Sequence, residues 1–114
     1  MFALKLARAA GLRVILSSSS DEKLKRLVNE YPEPPILTVN YAKHPDWHEV
    51  VLKHTDNIGV DIVLEIGGPG TLLKSMKCTR RGGIVSQVGY LDRETFDDSL
   101  EVLPLLIDRR IILR

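Results

Sequence analysis

GVDIVLEIGGPGTLLKSM, Gly59 to Met76, is the stretch that decides the fold. Val60 to Ile66 reads as a strand, Gly67, Gly68 and Gly70 as a turn, and Thr71 to Cys78 as a helix. A strand that turns tightly into a helix is half of a strand-helix-strand unit, whose next strand runs parallel to the first. Toward the C-terminus, Gly82 and Gly83 break the chain and Ile84 to Val88 supplies that strand. Phe96 to Ile107 is mostly helical, kinked or divided at Pro104, and Arg110 to Leu113 is a last strand. Toward the N-terminus, Asp46 begins a helix that turns Trp47, Val50 and Val51 inward and ends before Gly59, and Ile36 to Val39 is a strand. Ahead of it, Ser19 and Glu22 stand at capping-box spacing, so a helix starts near Ser20 or Asp21. Its apolar stripe is Leu24, Leu27 and Val28, and Pro32, Pro34 and Pro35 end it. Leu12 to Leu16 is an apolar run without alternation, the pattern of a strand buried on both faces. Phe2 to Ala10 is an Ala- and Leu-rich helix stopped by Gly11. The order α-β-α-β-α-β-α-β-α-β predicts an α/β fold with a doubly wound, Rossmann-type parallel sheet. It starts on a helix, where a complete fold of this kind starts on a strand.

The 114 residues suffice for one domain. Sixteen basic against fifteen acidic residues leave a net charge of +1, which gives no electrostatic reason to expect nucleic acid or an anionic membrane as partner. No apolar run approaches the roughly 20 residues of a spanning helix. A single cysteine, Cys78, excludes an internal disulfide and a thiolate zinc site and fits a reducing interior, so a cytoplasmic location is expected. Met1 to Ser20 carries Lys5, Arg8, Arg13, four serines and no acid, the composition of a mitochondrial targeting segment. Arg13 opens the aliphatic run Val14-Ile15-Leu16, however, which reads as folded structure.

Several residue groups invite a chemical reading. Gly68, Gly70 and Leu73 occupy the three positions of a dinucleotide-binding glycine motif, with Asp92 about twenty residues further on. Against this, Leu73 stands where a small residue is needed, and Pro69 removes an amide that would face a phosphate. A tight turn, kept small for backbone reasons or for a cofactor passing nearby, explains the same glycines. At the strand tip before the second helix stand Ser17, Ser18 and Ser19, with Lys23 one turn into the helix. An acid here would bind a ribose hydroxyl and select NAD; hydroxyls with a lysine suit a 2′-phosphate and hence NADP. A plain helix cap with a solvated lysine accounts for them equally, and Asp21 is assigned to the helix dipole. His44 and His48 are separated by Pro45, which prevents one helix from presenting both to a metal, so they read as surface residues. Tyr31 and Tyr41 are core or pocket residues, and Arg80-Arg81 is a solvated loop. No nucleophile-base set can be assembled around Ser75, Cys78 or the histidines.

Taken in order, LARAAGLRVILSSSSDEKL (Leu6 to Leu24), VNY (Val39 to Tyr41), PDWHEVVLKHT (Pro45 to Thr55), GVDIVLEIGGPGTLLKSM and RGGIVSQVGYL (Arg81 to Leu91) resemble the cofactor domain of medium-chain dehydrogenase/reductases. The similarity is to the zinc-type alcohol dehydrogenase-like and quinone oxidoreductase-like branch, and it runs from about Phe2 to Arg114. It implies an NAD(P)-dependent oxidoreductase whose pyrophosphate-binding glycine motif would lie on a turn ahead of Phe2. By the same resemblance Gly67 and Gly68 belong to a later turn beside the nicotinamide ribose. Ser18, Ser19 and Lys23 resemble the adenosine 2′-phosphate contacts, and Tyr41 the tyrosine packed near that phosphate. Val88, Gly89 and Tyr90 resemble the strand end whose backbone meets the nicotinamide. NADP is the expected cofactor, with NAD the alternative. Catalytic groups, and zinc where a member has it, come from a separate domain, so no catalytic or metal residue is carried over. Asn29 to Thr38 departs from the family's short link and looks locally rebuilt.

The expectation is therefore an incomplete Rossmann-type domain, residues 1–114, lacking its first strand and glycine motif and without a catalytic domain. The absent strand is central in such a sheet, and its neighbours would lose hydrogen-bond partners. Weak cofactor binding, no turnover by the chain alone and a homo-oligomer through the exposed sheet edge at Arg110 to Leu113 follow. Two other readings stay open: a non-catalytic interaction protein that pairs through its sheet edges, and a different doubly wound protein with Gly67 to Gly70 as its phosphate loop.

Overall fold

The computed structural model describes residues 1–89, 91 and 102–114. The expected order is observed: α1 (Phe2–Ala9), β1 (Ile15–Ser18), α2 (Asp21–Glu30), β2 (Leu37–Asn40), α3 (Trp47–His54), β3 (Val60–Glu65), α4 (Pro69–Lys77), β4 (Thr79–Gln87), α5 (Val102–Arg109) and β5 (Ile112–Leu113). Every strand pairing is parallel. The strands form two sheets, β1-β2 and β3-β4-β5, where a single sheet was expected. The resemblance implies a strand ahead of α1 at the centre of the sheet. Among the described residues no strand precedes α1, and β1 and β3 are hydrogen-bonded into separate sheets. The chain divides into two compact units, Met1–Trp47 and His48–Arg114.

In the first unit, β1 and β2 run in register from Ile15 opposite Leu37 to Ser18 opposite Asn40. The core is Leu4 of α1, Leu27 of α2 and Ile36, with Val14, Leu16 and Tyr31 packed against it. Each such aliphatic side chain contributes about 1.5–3 kcal/mol when fully buried. Arg8 ties α1 to the proline segment by donating to the carbonyls of Glu33 and Pro34, and its guanidinium lies 5.3 Å from the Tyr31 ring centroid. Strand β1 starts three residues later than the apolar run suggested, so Ser17 and Ser18 are strand residues. The helix cap is Ser20, whose Oγ accepts the Lys23 N–H at 3.4 Å, and not the Ser19–Glu22 capping box.

In the second unit, α4 and α5 bury Met76 and Ile111 against Val85 of the central strand, with Val63, Leu72, Leu105 and Leu106 around them. One element boundary differs from expectation. Pro69 lies inside α4, not ahead of it, because it occupies the first turn, where no intrahelical N–H is needed. Pro104 lies within α5. The expected helical stretch from Phe96 to Glu101 lies outside the described residues. Strand β4 includes Gly82 and Gly83, which were expected to break the chain, but its pairing is interrupted there. Its register with β3 jumps from Val60–Thr79 to Ile62–Ile84, so three extra residues bulge from β4. Arg80, at the bulge, is a strand residue whose Nε reaches Asp61 Oδ1 at 2.6 Å.

Candidate functional site: the strand ends

The carboxyl ends of parallel strands are where open α/β sheets bind ligands, and the predicted residues gather at such ends in each unit. In the first unit the tips of β1 and β2 are locked together. Tyr41 N–H donates to the Ser18 carbonyl at 3.2 Å, and Ser20 N–H donates to Ser18 Oγ at 3.2 Å. Ser18 is half-buried, while Ser19, Lys23 and Tyr41 are exposed. Ser18, Ser19 and Tyr41 are thus brought to one place, and Lys23 sits one turn into α2 with its backbone on the Ser20 cap.

Two residues without an assigned part in this tip organise it. Asn40, 8% exposed, donates from Nδ2 to the Ser19 carbonyl at 3.3 Å and to Asp21 Oδ1 at 2.5 Å. Its Oδ1 accepts the N–H groups of Ala42 at 3.0 Å and Lys43 at 3.2 Å. All four of its hydrogen-bonding positions are used, and they join the turn after β1 to the turn after β2. Asp21 is fixed by this amide and by an ion pair with the Lys43 ammonium. The Asn40 hydrogen bond, and next the one from Lys43, hold the Asp21 carboxyl below its ordinary value. Asp21 lies in the first turn of α2 and suits the helix dipole as expected, but its named partners are side chains. A depression of about 330 Å³, lined by Asp21, Leu24, Lys25, Val28, Asn29 and Thr38, shares only Asp21 with the tip.

In the second unit, the ends of β3 and β4 carry the glycine turn. Val88 N–H donates to the Glu65 carbonyl at 2.8 Å and Gly89 N–H to the same carbonyl at 3.3 Å. A side chain at Gly89 would meet the Ile66 carbonyl oxygen at 3.0 Å and Ile66 Cα at 3.2 Å, so the two strand ends approach as closely as glycine allows. Gln87 Nε2 donates to the Gly89 carbonyl at 2.6 Å. Gly67, Gly68, Val88 and Gly89 therefore lie together, and Tyr90 is outside the described residues.

The turn itself is filled from within by Glu65, 5% exposed. Glu65 Oε1 accepts Gly67 N–H at 2.7 Å, Gly68 N–H at 3.3 Å and the Thr71 hydroxyl at 2.6 Å, and Oε2 accepts the Ser75 hydroxyl. The protein's own carboxylate occupies the position that a phosphate would take at the start of α4. Pro69 offers no amide, and those of Thr71 and Leu72, beyond Gly70, donate to the Gly68 carbonyl at 3.1 and 2.9 Å. The geometry argues against this turn as a pyrophosphate loop and leaves it as a small surface at the strand ends.

For metals, no group of three His, Cys, Asp or Glu capable of holding an ion occurs among the described residues. Burial pushes the Cys78 thiol up to about 12, which disfavours the thiolate that a zinc ligand must supply. A zinc ion does not fit the residues described. A nicotinamide dinucleotide is different. In the first unit, the hydroxyls of Ser18 and Ser19 and the exposed Lys23 and Lys43 are groups that suit a phosphate.

A chain with parallel strands, helical crossovers and such tips is a Rossmann-type nucleotide-binding protein by fold. The profile of the zinc-binding dehydrogenase family matches residues 1–113, and the chain belongs to that family, within the medium-chain dehydrogenase/reductases. It is 36% identical over 117 residues to a zinc-type alcohol dehydrogenase-like protein of Schizosaccharomyces pombe, covering 99% of this chain and 32% of that protein. The crystal structure of a Sinorhizobium meliloti protein described as an alcohol dehydrogenase superposes with a TM-score of 0.79 at 33% identity, over 98% of this chain and 31% of that one. A 2-haloacrylate reductase superposes with a TM-score of 0.80 at 30% identity, over 96% and 32%. The chain thus spans about a third of the length of these relatives.

Proposed function

We propose that this chain is the nucleotide-binding part of an NAD(P)-dependent oxidoreductase that moves a hydride between a nicotinamide and a carbonyl, alcohol or activated alkene, and that it prefers NADP. The observation that carries the preference is the tip of β1. It presents Ser18 and Ser19, and its carboxylate, Asp21, is tied to Asn40 and Lys43. An acid at the strand tip itself would favour a plain ribose hydroxyl; hydroxyls with a lysine favour a phosphate. Ser18, Ser19, Lys23 and Tyr41 form the adenosine 2′-phosphate subsite. Gly67, Gly68, Val88 and Gly89 form the surface at the nicotinamide end, and Tyr90, outside the described residues, is assigned to it by the resemblance alone. The cofactor, when bound, supplies the hydride chemistry; these residues orient it. The turnover groups belong to parts of the relatives that this chain does not span, so the chain alone binds cofactor weakly and turns nothing over. The buried free thiol of Cys78 supports a reducing compartment, and we place the chain in the cytoplasm. Among the described residues no helix is long and apolar enough to cross a membrane.

The test is a thermal melt followed by circular dichroism with and without NADPH and NADH. An upward shift with NADPH larger than with NADH supports the reading; a melt indifferent to both contradicts it. A turnover assay with NADPH and a panel of quinones, enones and aldehydes is expected to stay at background. A second reading, pairing with another copy, is favoured by the exposed Ile62 and Leu64 of β3 and Ile112 and Leu113 of β5. Sedimentation equilibrium checks it: a dimer supports it and a monomer at high micromolar concentration removes it.

A further inference from the structure

Glu65 and Gln87 stand opposite each other in the parallel register of β3 and β4, so both side chains rise from the same face of the sheet. Each reaches forward to the turn after its own strand. Glu65 Oε1 accepts the Gly67 N–H at 2.7 Å, and Gln87 Nε2 donates to the Gly89 carbonyl at 2.6 Å. Both oxygens of Glu65 are satisfied. Gln87 Oε1, in contrast, is buried and finds no hydrogen-bond partner among the described residues. A buried acceptor without a donor lowers stability, so the Gln87 amide works against the fold on one side of its single named bond. We propose that Gln87 is a positioning residue for the nicotinamide ring, acting through the orientation it gives Gly89. The inference rests on the reading of Val88 and Gly89 as the surface at the nicotinamide end; the resemblance gives Gln87 itself no part. Gly89 has both of its backbone groups held, the N–H by the Glu65 carbonyl at 3.3 Å and the carbonyl by Gln87. In a planar trans peptide the Val88 carbonyl points opposite to the Gly89 N–H, and so away from Glu65. Without Gln87, the carbonyl of Gly89 loses its tether, and the next one is the Leu91 N–H on the Ile66 carbonyl at 3.2 Å. A glycine has no side chain to restrict the motion this allows. The ring would then meet backbone that must be ordered on binding, at a loss of affinity.

The test separates the two halves of the cofactor on the 114-residue chain. NADPH carries both halves, and 2′,5′-ADP carries the adenosine half alone. Amide resonances followed by NMR give the affinities, and the emission of the dihydronicotinamide reports on the ring directly. Gln87→Met keeps the length of the side chain and removes its polar atoms; Gln87→Glu keeps the size but, ionised, cannot donate. Both are expected to weaken NADPH about fivefold, the size of one hydrogen bond, and to leave 2′,5′-ADP unchanged. The shift in dihydronicotinamide emission is expected to be lost with them. Gln87→Met is expected to melt at or above the temperature of the unaltered chain, because the unpartnered acceptor is gone. A Gln87→Met chain that melts lower and loses both ligands alike would make Gln87 a structural residue and overturn the proposal. Unchanged NADPH affinity in both variants would overturn it while leaving the nicotinamide-end surface in place. If the unaltered chain binds NADPH no more tightly than 2′,5′-ADP and the emission does not move, the reading of the nicotinamide end fails, and the role of Gln87 with it.

Discussion

Glu65 Oε1 lies 2.7 Å from the backbone nitrogen of Gly67 and accepts its hydrogen bond, so the carboxylate at the end of β3 closes the glycine turn that follows it. With Gly68, Thr71 and Ser75 also donating to Glu65, four groups depend on one buried side chain. Replacing Glu65 by Ala strands these donors and is expected to destabilise by about 3 kcal/mol, whereas Glu65→Gln keeps an acceptor and costs about 1 kcal/mol. Urea denaturation checks the order; equal losses would mean that the network contributes little.

Gly59 and Gly82 both have positive φ, +97° and +74°, but their surroundings differ. A methyl group at Gly59 would meet Arg80 N at 2.6 Å and Cys78 O at 2.8 Å, both backbone atoms, whereas Gly82 opens to solvent with nothing within 4 Å. Gly82→Ala is expected to cost about 1 kcal/mol of backbone strain, and Gly59→Ala at least twice that. Thermal melts of the two variants give the comparison, and a Gly82→Ala loss as large as that of Gly59→Ala would contradict it.

The clasp at the β1 tip depends on pH in a fixed sense. Asp21 titrates below its ordinary 3.8 because Asn40 and then Lys43 stabilise the charged form. Its contribution is present above that ordinary value and fades as pH falls through the lowered one. A carboxyl-detected NMR titration is expected to place its midpoint under 3.8, and Asn40→Ala to move it up toward that value. A midpoint at or above 3.8 in the unaltered chain would show the clasp to be absent.

Cys78 is 1% exposed and its Sγ donates to the Ser75 carbonyl at 3.4 Å. With its thiol pushed up to about 12, roughly one part in ten thousand is thiolate at pH 8. Ellman's reagent is expected to leave it unmodified in the folded chain and to react fully in urea. Fast labelling without denaturant would show that the second unit opens readily.

The alternation of helices and strands was legible because glycines, prolines and serines punctuate it strongly. What the sequence blurred were boundaries set by pairing. Ser17 and Ser18 read as the tip just past the apolar run, yet they belong to the strand because Val39 and Asn40 pair with them. Gly82 and Gly83 read as a break, yet β4 passes through them because it resumes pairing with β3 at Ile84. At the tip, Ser18, Ser19 and Tyr41 were legible from residue type and place. Asn40 and Lys43 were not, since their partners lie 19 to 22 residues away and no local spacing announces them. Glu65 was hidden differently: within an apolar strand it carries no pattern, and only the folded turn shows its four donors.

Calorimetric titration of the chain with NADPH and with NADH measures whether the β1 tip selects a phosphorylated nicotinamide dinucleotide. NADPH is expected to bind at least about fivefold more tightly than NADH, and added salt to narrow the gap, as for an ionic contact. Equal affinities, or tighter binding of NADH, would contradict it.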